Sequence, residues 1–319
     1  MAQNKIADAE KTFKALRRQW PDSVLAHERL AETYRRGNRL GEALLEFQDA
    51  RRRNPKSLTI LRGLARVLRS QRKTERAIRE YGTYLEDNPN STAGWLDLAS
   101  LHVAAGRWVE AERAHKSAIT TARTTPAVHQ AMVEFYSRRK EFDQARQAAQ
   151  RMIRDVPTKQ GTAMGHTFLA GIWELEGKLD EAVKEYRLAM DANPDFGVAV
   201  NNLAWLLATK KKLPEEAIKL GEPYLKKFPD FAYLFDTVGW AYRLIGEPKK
   251  ALPLLAHAVK LQILTRDTRP ALPRILYHYG EVLFLNGEKA EAKKVLGAAL
   301  QAPRFPEYDR AKEIYDKIK

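Results

Sequence analysis

Residues 24–57 read VLAHERLAETYRRGNRLGEALLEFQDARRRNPKS, and this stretch decides the fold. Its apolar residues recur every three or four positions on both sides of Gly37-Asn38, a spacing that predicts two amphipathic helices joined by a short turn. Asn54-Pro55 then ends the second helix, because proline disfavours helical backbone in the residue before it. The stretch is therefore predicted to form one helical hairpin.

The same hairpin pattern recurs along the whole chain of 319 residues. Prolines that follow predicted second helices fall 34 residues, or twice 34, apart at Pro21, Pro55, Pro89 and Pro157. Residues 1–23 are predicted to be the second half of a further unit, and 307–319 a capping helix. A longer loop, Arg266 to Pro270, interrupts the period and is either a tolerated insertion or a contact loop. The eight predicted repeats are 24–57, 58–91, 92–125, 126–159, 163–196, 197–231, 232–265 and 273–306.

The pattern resembles the tetratricopeptide repeat, which runs W-x2-L-G-x2-Y, then A-x3-F, then P over 34 residues. The resemblance implies an all-α, right-handed superhelical α-solenoid of helix-turn-helix repeats, forming a single array over 1–319. We expect glycine to supply the left-handed residue of the turns at Gly37, Gly106, Gly177, Gly246 and Gly287. In residues 24–57 the resemblance is carried by His27, Leu30, Ala31, Tyr34, Ala43, Phe47, Ala50 and Pro55.

The sequence offers no recognisable catalytic or cofactor-binding motif. It contains no cysteine, which excludes disulfides, thiolate metal sites and cysteine nucleophiles. A phosphate-binding glycine loop, HExxH and GxSxG are also absent. His27, His129 and His166 occupy the repeat's Trp position, where a packing role is expected, and Ser91 in Asn90-Ser91-Thr92 is expected to cap a helix. We predict a protein that is not an enzyme, with no catalytic residue, metal or cofactor.

Positive charge is concentrated in the N-terminal half. Residues 1–160 hold 31 Lys and Arg against 19 Asp and Glu, a net charge of +12 of the chain's +15. In the tetratricopeptide family the first helices line a concave groove, and this implies an inward position for Arg35, Arg36, Arg62, Arg66 and Arg69. The family's clamp for chaperone C-termini needs Lys and Asn where this chain has other residues. The arginines are either a solvated, paired face or a site for an anionic partner.

The C-terminal half of the predicted groove has aromatic rather than basic character. Trp205 and Trp240 occupy the same motif position in adjacent repeats and are predicted to stack beside Asn, Asp and Arg side chains. Indoles in that arrangement either bind an extended peptide or a sugar face, or pack the groove floor. The same projection places eight residues in the groove: Asn201, Trp205, Tyr233, Asp236, Trp240, Arg243, Tyr277 and Glu281.

A second, narrower resemblance concerns residues 201–208, 236–242 and 250–255, which read NNLAWLLA, DTVGWAY and KALPLL. They resemble bacterial tetratricopeptide lipoproteins associated with exopolysaccharide export and exosortase sorting, which implies a scaffold in envelope or secretion assembly. The leading hypothesis is a protein-interaction scaffold that holds a partner segment of acidic character in its groove. The alternative is a binder of an anionic polymer, polysaccharide or RNA. No membrane span is predicted, and the sequence leaves the compartment open: cytoplasm, or periplasm if a leader was removed.

Overall fold

A computed structural model describes residues 2–264 and 272–318, and over these residues the chain is α-helical throughout, without strands. The prediction for the loop Arg266 to Pro270 falls outside the described residues. The chain divides into two compact units, Met1–Glu141 and Phe142–Lys319. The boundary lies between the two helices of the segment 126–159. No helix among the described residues is long and apolar enough to cross a membrane.

Unit 1 consists of helices that pack on their neighbours in the chain. The first helices of adjacent segments also touch: α2 contacts α4, and α6 contacts α8. The helices of unit 1 are α1 (Ala2–Gln19), α2 (Val24–Arg36), α3 (Leu40–Arg53), α4 (Leu58–Ser70), α5 (Thr74–Asp87), α6 (Thr92–Ala104), α7 (Trp108–Thr121) and α8 (Pro126–Arg138).

Unit 2 continues the same alternation and ends in α18, whose Ala311 and Ile314 are buried against α16 and α17. One π-helical turn, Leu206–Lys210, extends α12. The helices of unit 2 are α9 (Phe142–Asp155), α10 (Lys159–Leu175), α11 (Leu179–Ala192), α12 (Gly197–Trp205), α13 (Pro214–Leu225), α14 (Ala232–Leu244), α15 (Pro248–Leu264), α16 (Leu272–Leu285), α17 (Lys289–Leu300) and α18 (Tyr308–Lys317).

The core alternates small and large side chains, which lets helices approach closely. Ala31 and Ala65 are buried on first helices, and Phe47 of the second helix α3 is 2% exposed. A Cβ on Gly63 of α4 would lie 2.3 Å from Cε1 of Phe47, so the ring occupies the space that a side chain would need. Burial of one such ring stabilises the fold by roughly 1.5–3 kcal/mol.

Serines cap three of the first helices in unit 1. The hydroxyl oxygens of Ser23, Ser57 and Ser91 accept hydrogen bonds from the backbone N–H three residues on, at 3.3, 3.4 and 3.2 Å. Each bond satisfies one of the free donors at a helix start. The predicted capping role of Ser91 is confirmed.

The turns within hairpins need one residue with positive φ, and glycine supplies it at Gly106, Gly177, Gly246 and Gly287. The prediction for Gly37 is wrong, because Gly37 has φ −79° and Asn38 has φ 58°. Asparagine tolerates the left-handed region through local hydrogen bonding by its short polar side chain. Elsewhere the strained position falls on long cationic residues: Arg72, Lys140 and Lys212.

The π-helical turn lies in the segment that is one residue longer than the others. Pro194 and Pro229, which follow successive second helices, are 35 residues apart rather than 34. In the π-turn the N–H of Lys211 donates to the carbonyl of Leu206, five residues back. A π-bulge takes one extra residue into a helix without ending it. The extra residue is therefore absorbed inside the first helix, and α13 begins at Pro214.

In three repeats, a ring at the repeat's Trp position bonds to the end of the preceding repeat. The indole N–H of Trp95 donates to the carbonyl of Pro89 at 2.8 Å, and His27 Nε2 and His129 Nε2 lie 2.9 and 2.7 Å from the carbonyls of Pro21 and Arg123. His27 and His129 are buried, which confirms their packing role. His166 is half-buried and bonds to Glu185 instead.

Candidate partner-binding surfaces

A basic surface lies on α4 in unit 1, formed by Arg62, Arg66 and Arg69. Their spacing of four and three residues places them on one helical face, and all three are exposed. They line a shallow pocket of about 210 Å³ together with Tyr81 and Asp97. We call this the basic surface. It brings together three of the five arginines that the sequence singles out.

One carboxylate neutralises part of the basic surface. Arg62 Nε donates to Asp97 Oδ2 at 2.6 Å, and the hydroxyl of Tyr81 donates to the same oxygen at 3.1 Å. The hydrogen bond to Asp97 raises the pKa of Arg62, and burial raises the pKa of Tyr81. Among the described residues, neither Arg66 nor Arg69 forms an ion pair. Two guanidinium groups are thus left uncompensated.

The remaining two arginines, Arg35 and Arg36 at the end of α2, belong to a local ion-pair cluster. Both bond to Glu32, Arg35 through two nitrogens at 2.7 and 2.8 Å and Arg36 through Nε at 3.1 Å. The hydrogen bond from Arg35 lowers the pKa of Glu32 to about 2, despite partial burial of the carboxyl. These side chains form a paired, solvated face.

An apolar pocket of about 360 Å³ lies in unit 1 between α6, α7 and α8. Leu96, Val103, Trp108, Ala131 and Phe135 form its walls, and Ser100 is at its edge. We call this the apolar pocket. Sequence reasoning missed it, although Leu96, Ser100 and Val103 sit at the groove-facing positions 5, 9 and 12 of their repeat.

A buried histidine completes the apolar pocket. His115 is 7% exposed, and its ring lies 5.3 Å from that of Phe135. Burial lowers the pKa of His115 to about 4, so the ring is neutral at pH 7. At the rim, the guanidinium of Arg139 lies 5.1 Å from the ring centre of Trp108 and pairs with Glu141. The pocket is apolar inside and charged at its edge.

In unit 2 the predicted aromatic residues gather around a histidine that the sequence reading did not single out. His278 is 1% exposed, stacks on Trp240 with ring centres 4.0 Å apart, and lies 5.9 Å from the ring of Trp205. Its Nδ1 is 2.8 Å from Oδ1 of Asp236, a buried carboxylate. Where the sequence suggested two indoles stacked on each other, an imidazole packs against both. His278 occupies no consensus position of the repeat, so periodicity gave no signal for it.

A second buried carboxylate in unit 2 is hydrogen-bonded to the predicted residues Arg243 and Tyr277. Glu281, 1% exposed, accepts hydrogen bonds from the hydroxyl of Tyr277 and from Arg243 Nη2. Burial raises the pKa of Tyr277. The guanidinium of Arg243 also lies 5.0 Å from the ring centre of Trp240. The polar groups of this region are therefore largely bonded to one another.

The last two predicted residues of unit 2, Asn201 and Tyr233, contact other neighbours. The side-chain carbonyl of Asn201 accepts a hydrogen bond from the hydroxyl of Thr237 at 2.8 Å. Tyr233 is half-buried, with its ring 5.9 Å from that of Phe231. Neither side chain contacts the indoles through a hydrogen bond or ring contact among the described residues.

One group of side chains has the composition of a metal site. His27, Glu46 and Asp49 place ligand atoms within 4.8 Å of one another. His27 Nδ1 is already 2.7 Å from Glu46, however, and Arg17 and Arg52 pair with the two carboxylates. The other ring nitrogen of His27, Nε2, lies 2.9 Å from the carbonyl oxygen of Pro21. The two arginines supply the positive charge that a metal ion would bring.

Comparison with family models agrees with this architecture. Two family models, both described as tetratricopeptide repeat, match residues 1–57 and 68–132. Two crystal structures show similarity at 16% identity: the APC/C hetero-tetramer Cut9-Hcn1, with a TM-score of 0.40, and YrrB, a TPR protein with an unusual peptide-binding site, with 0.37. The alignments cover 75% and 59% of this chain, and 46% and 93% of those chains. The chain thus spans less than half the length of the first. No curated protein matches the sequence.

Consecutive helical hairpins with this residue pattern define a helical repeat protein, in which each unit packs on its neighbours. Residues 1–57 and 68–132 match tetratricopeptide repeat models, and the fold is consistent with an all-α tetratricopeptide solenoid. Proteins of this family are interaction scaffolds and are in general non-catalytic.

Proposed function

We propose that the protein is a non-catalytic scaffold that holds an acidic segment of a partner protein on the basic surface of unit 1. The observation that carries the proposal is the pair Arg66 and Arg69: both are exposed on one face of α4 and unpaired among the described residues, whereas Arg62 is held by Asp97. A guanidinium binds a carboxylate with two parallel hydrogen bonds. Two neighbouring guanidinium groups therefore suit a segment with two nearby carboxylates.

The charge of the whole N-terminal half supports the same partner. Residues 1–160 carry a net charge of +12, which attracts an acidic segment over a distance of about one Debye length and raises its association rate. Arg35 and Arg36 contribute to this field although Glu32 pairs with both. Their pairing makes them weaker direct contacts than Arg66 and Arg69.

An anionic polymer, polysaccharide or RNA, is the alternative ligand of the same surface. A polymer would contact many cationic groups at once, so its affinity would fall steeply with salt. RNA-binding helical repeats read one base per repeat, and the sequence shows no residue type recurring at one position for that purpose. We therefore favour the protein segment.

Capture from a lysate of the source organism tests the proposal. The bait is wild-type protein beside Arg66→Glu/Arg69→Glu and the control Arg79→Glu/Arg113→Glu, which makes the same charge change at exposed arginines on the second helices α5 and α7. We expect a protein partner that the first variant loses and the control keeps, in nuclease-treated lysate. Equal loss with both variants, or recovery of nucleic acid or polysaccharide alone, would refute the proposal.

The narrower assignment to bacterial envelope or secretion assembly is part of the proposal. It is supported by the resemblance of residues 201–208, 236–242 and 250–255 to exopolysaccharide-associated repeat proteins. The identity of the captured partner tests it. A partner from the export or sorting machinery is expected, and a ribosomal or metabolic partner would contradict it.

A further inference from the structure

The basic surface and the apolar pocket are parts of one continuous face of unit 1. Ser100, an exposed residue of α6, lines both. The basic surface lies between α4 and α6, and the apolar pocket lies between α6 and α8, with α7 behind it. A chain that crosses the basic surface therefore meets the pocket next.

The chemistry of the pocket selects an apolar occupant. Its walls are aliphatic and aromatic, and His115 adds a neutral ring because burial lowers its pKa to about 4. Charges appear only at the rim, at Glu134, Arg138 and Arg139. With about 360 Å³ of space the pocket is large enough for one big side chain and too small for a folded element.

We infer that the apolar pocket anchors one large apolar side chain, Phe, Trp or Leu, of the same acidic segment whose carboxylates pair with Arg66 and Arg69; this rests on the proposed function. The spacing within the segment follows from the geometry. Both sites share Ser100 as a lining residue and an extended residue spans about 3.3 Å, so only a few residues separate the carboxylate from the anchor. The partner is defined as a segment with an acidic residue and an apolar anchor at this fixed spacing.

Selection from a display library of random twelve-residue segments on wild-type protein tests the inference. The expected result is enrichment of segments with Asp or Glu and one large apolar residue at a constant separation. Enriched segments that are acidic but have no constant apolar position would overturn the anchor and leave the proposed function standing. Selection that yields no segment sensitive to Arg66→Glu/Arg69→Glu would overturn both.

A matched pair of substitutions tests the pocket directly. Val103→Glu puts a carboxylate on the pocket wall, whereas Val109→Glu makes the same change at a residue that is 60% exposed on α7 and does not line the pocket. Binding of a selected, fluorescein-labelled segment should weaken at least about tenfold with Val103→Glu and by less than about twofold with Val109→Glu. Equal affinities for the two variants, both checked for helicity, would overturn the anchor.

Discussion

The buried imidazole of His115 makes the stability of unit 1 depend on pH. Its pKa of about 4 in the folded chain lies below the ordinary histidine value of 6.5, because burial disfavours the charged ring. Above about pH 6.5 the ring is neutral in both folded and unfolded chains, and it contributes nothing to the pH dependence. As the pH falls below 6.5 the unfolded chain takes up a proton that the folded chain does not. Acid therefore destabilises the fold.

The size of this effect follows from the two pKa values. The folded and unfolded pKa values differ by about 2.5 units, which corresponds to a loss of about 3 kcal/mol in unfolding free energy. This loss is reached near pH 4 and changes little below it. At pH 5 the same linkage gives a loss of about 2 kcal/mol relative to pH 7.5. The ring is buried and has no hydrogen-bond partner at Nδ1 among the described residues, so solvent screening reduces the figure little.

Urea unfolding followed by circular dichroism measures the effect in wild type and His115→Leu at pH 7.5 and pH 5. Other groups titrate in both proteins, so the informative quantity is the difference between their losses of unfolding free energy. We expect wild type to lose about 2 kcal/mol more than the variant between the two pH values. Equal losses would show that His115 takes up its proton in the folded state, and the explanation from burial would be wrong.

Two further predictions concern backbone positions in unit 1, and both are checked by thermal unfolding. Gly63→Ala should destabilise the protein by about 1–3 kcal/mol because the new Cβ would collide with the ring of Phe47. The control Gly82→Ala should be neutral or stabilise by up to about 1 kcal/mol, because a Cβ there meets nothing within 4 Å. Similar losses of stability at both sites would contradict the packing explanation. Arg72→Gly should stabilise the protein by about 1 kcal/mol, because Arg72 has φ 59°, a conformation that glycine adopts without strain. Gly106→Ala should destabilise it by a similar amount, because Gly106 has φ 72°. A loss of stability in Arg72→Gly would contradict the explanation from backbone strain.

The sequence predicts the helices of this fold well because its period is long and regular. Helix ends were readable where Asn54-Pro55 and similar pairs stop a helix. The residue with positive φ was not readable at Gly37-Asn38, since either residue type can take that conformation. The sequence shows the π-turn only as a repeat with one extra residue. A loop would accommodate one extra residue equally well, so the sequence could not assign it to a helix.

The candidate sites were less predictable, because a pocket depends on side chains from several helices. Leu96 and Val103 were at groove-facing positions, but the pocket also needs Trp108 from α7 and Phe135 from α8. In unit 2, the bond between Asp236 and His278 joins residues 42 positions apart in the chain. Assigning groove positions one repeat at a time cannot show that His278 packs against the indoles of Trp205 and Trp240.

The uncompensated charge on the basic surface follows from the spacing of carboxylates in the sequence. Ion pairs between neighbouring repeats join residues about one period apart: Arg107 with Glu75, 32 positions back, and Arg62 with Asp97, 35 positions on. The stretch 95–107, which lies at that separation from Arg66 and Arg69, contains Asp97 as its single carboxylate. Because Arg62 already holds this group, the next repeat offers Arg66 and Arg69 no carboxylate. Under the proposed function, the partner segment supplies this carboxylate.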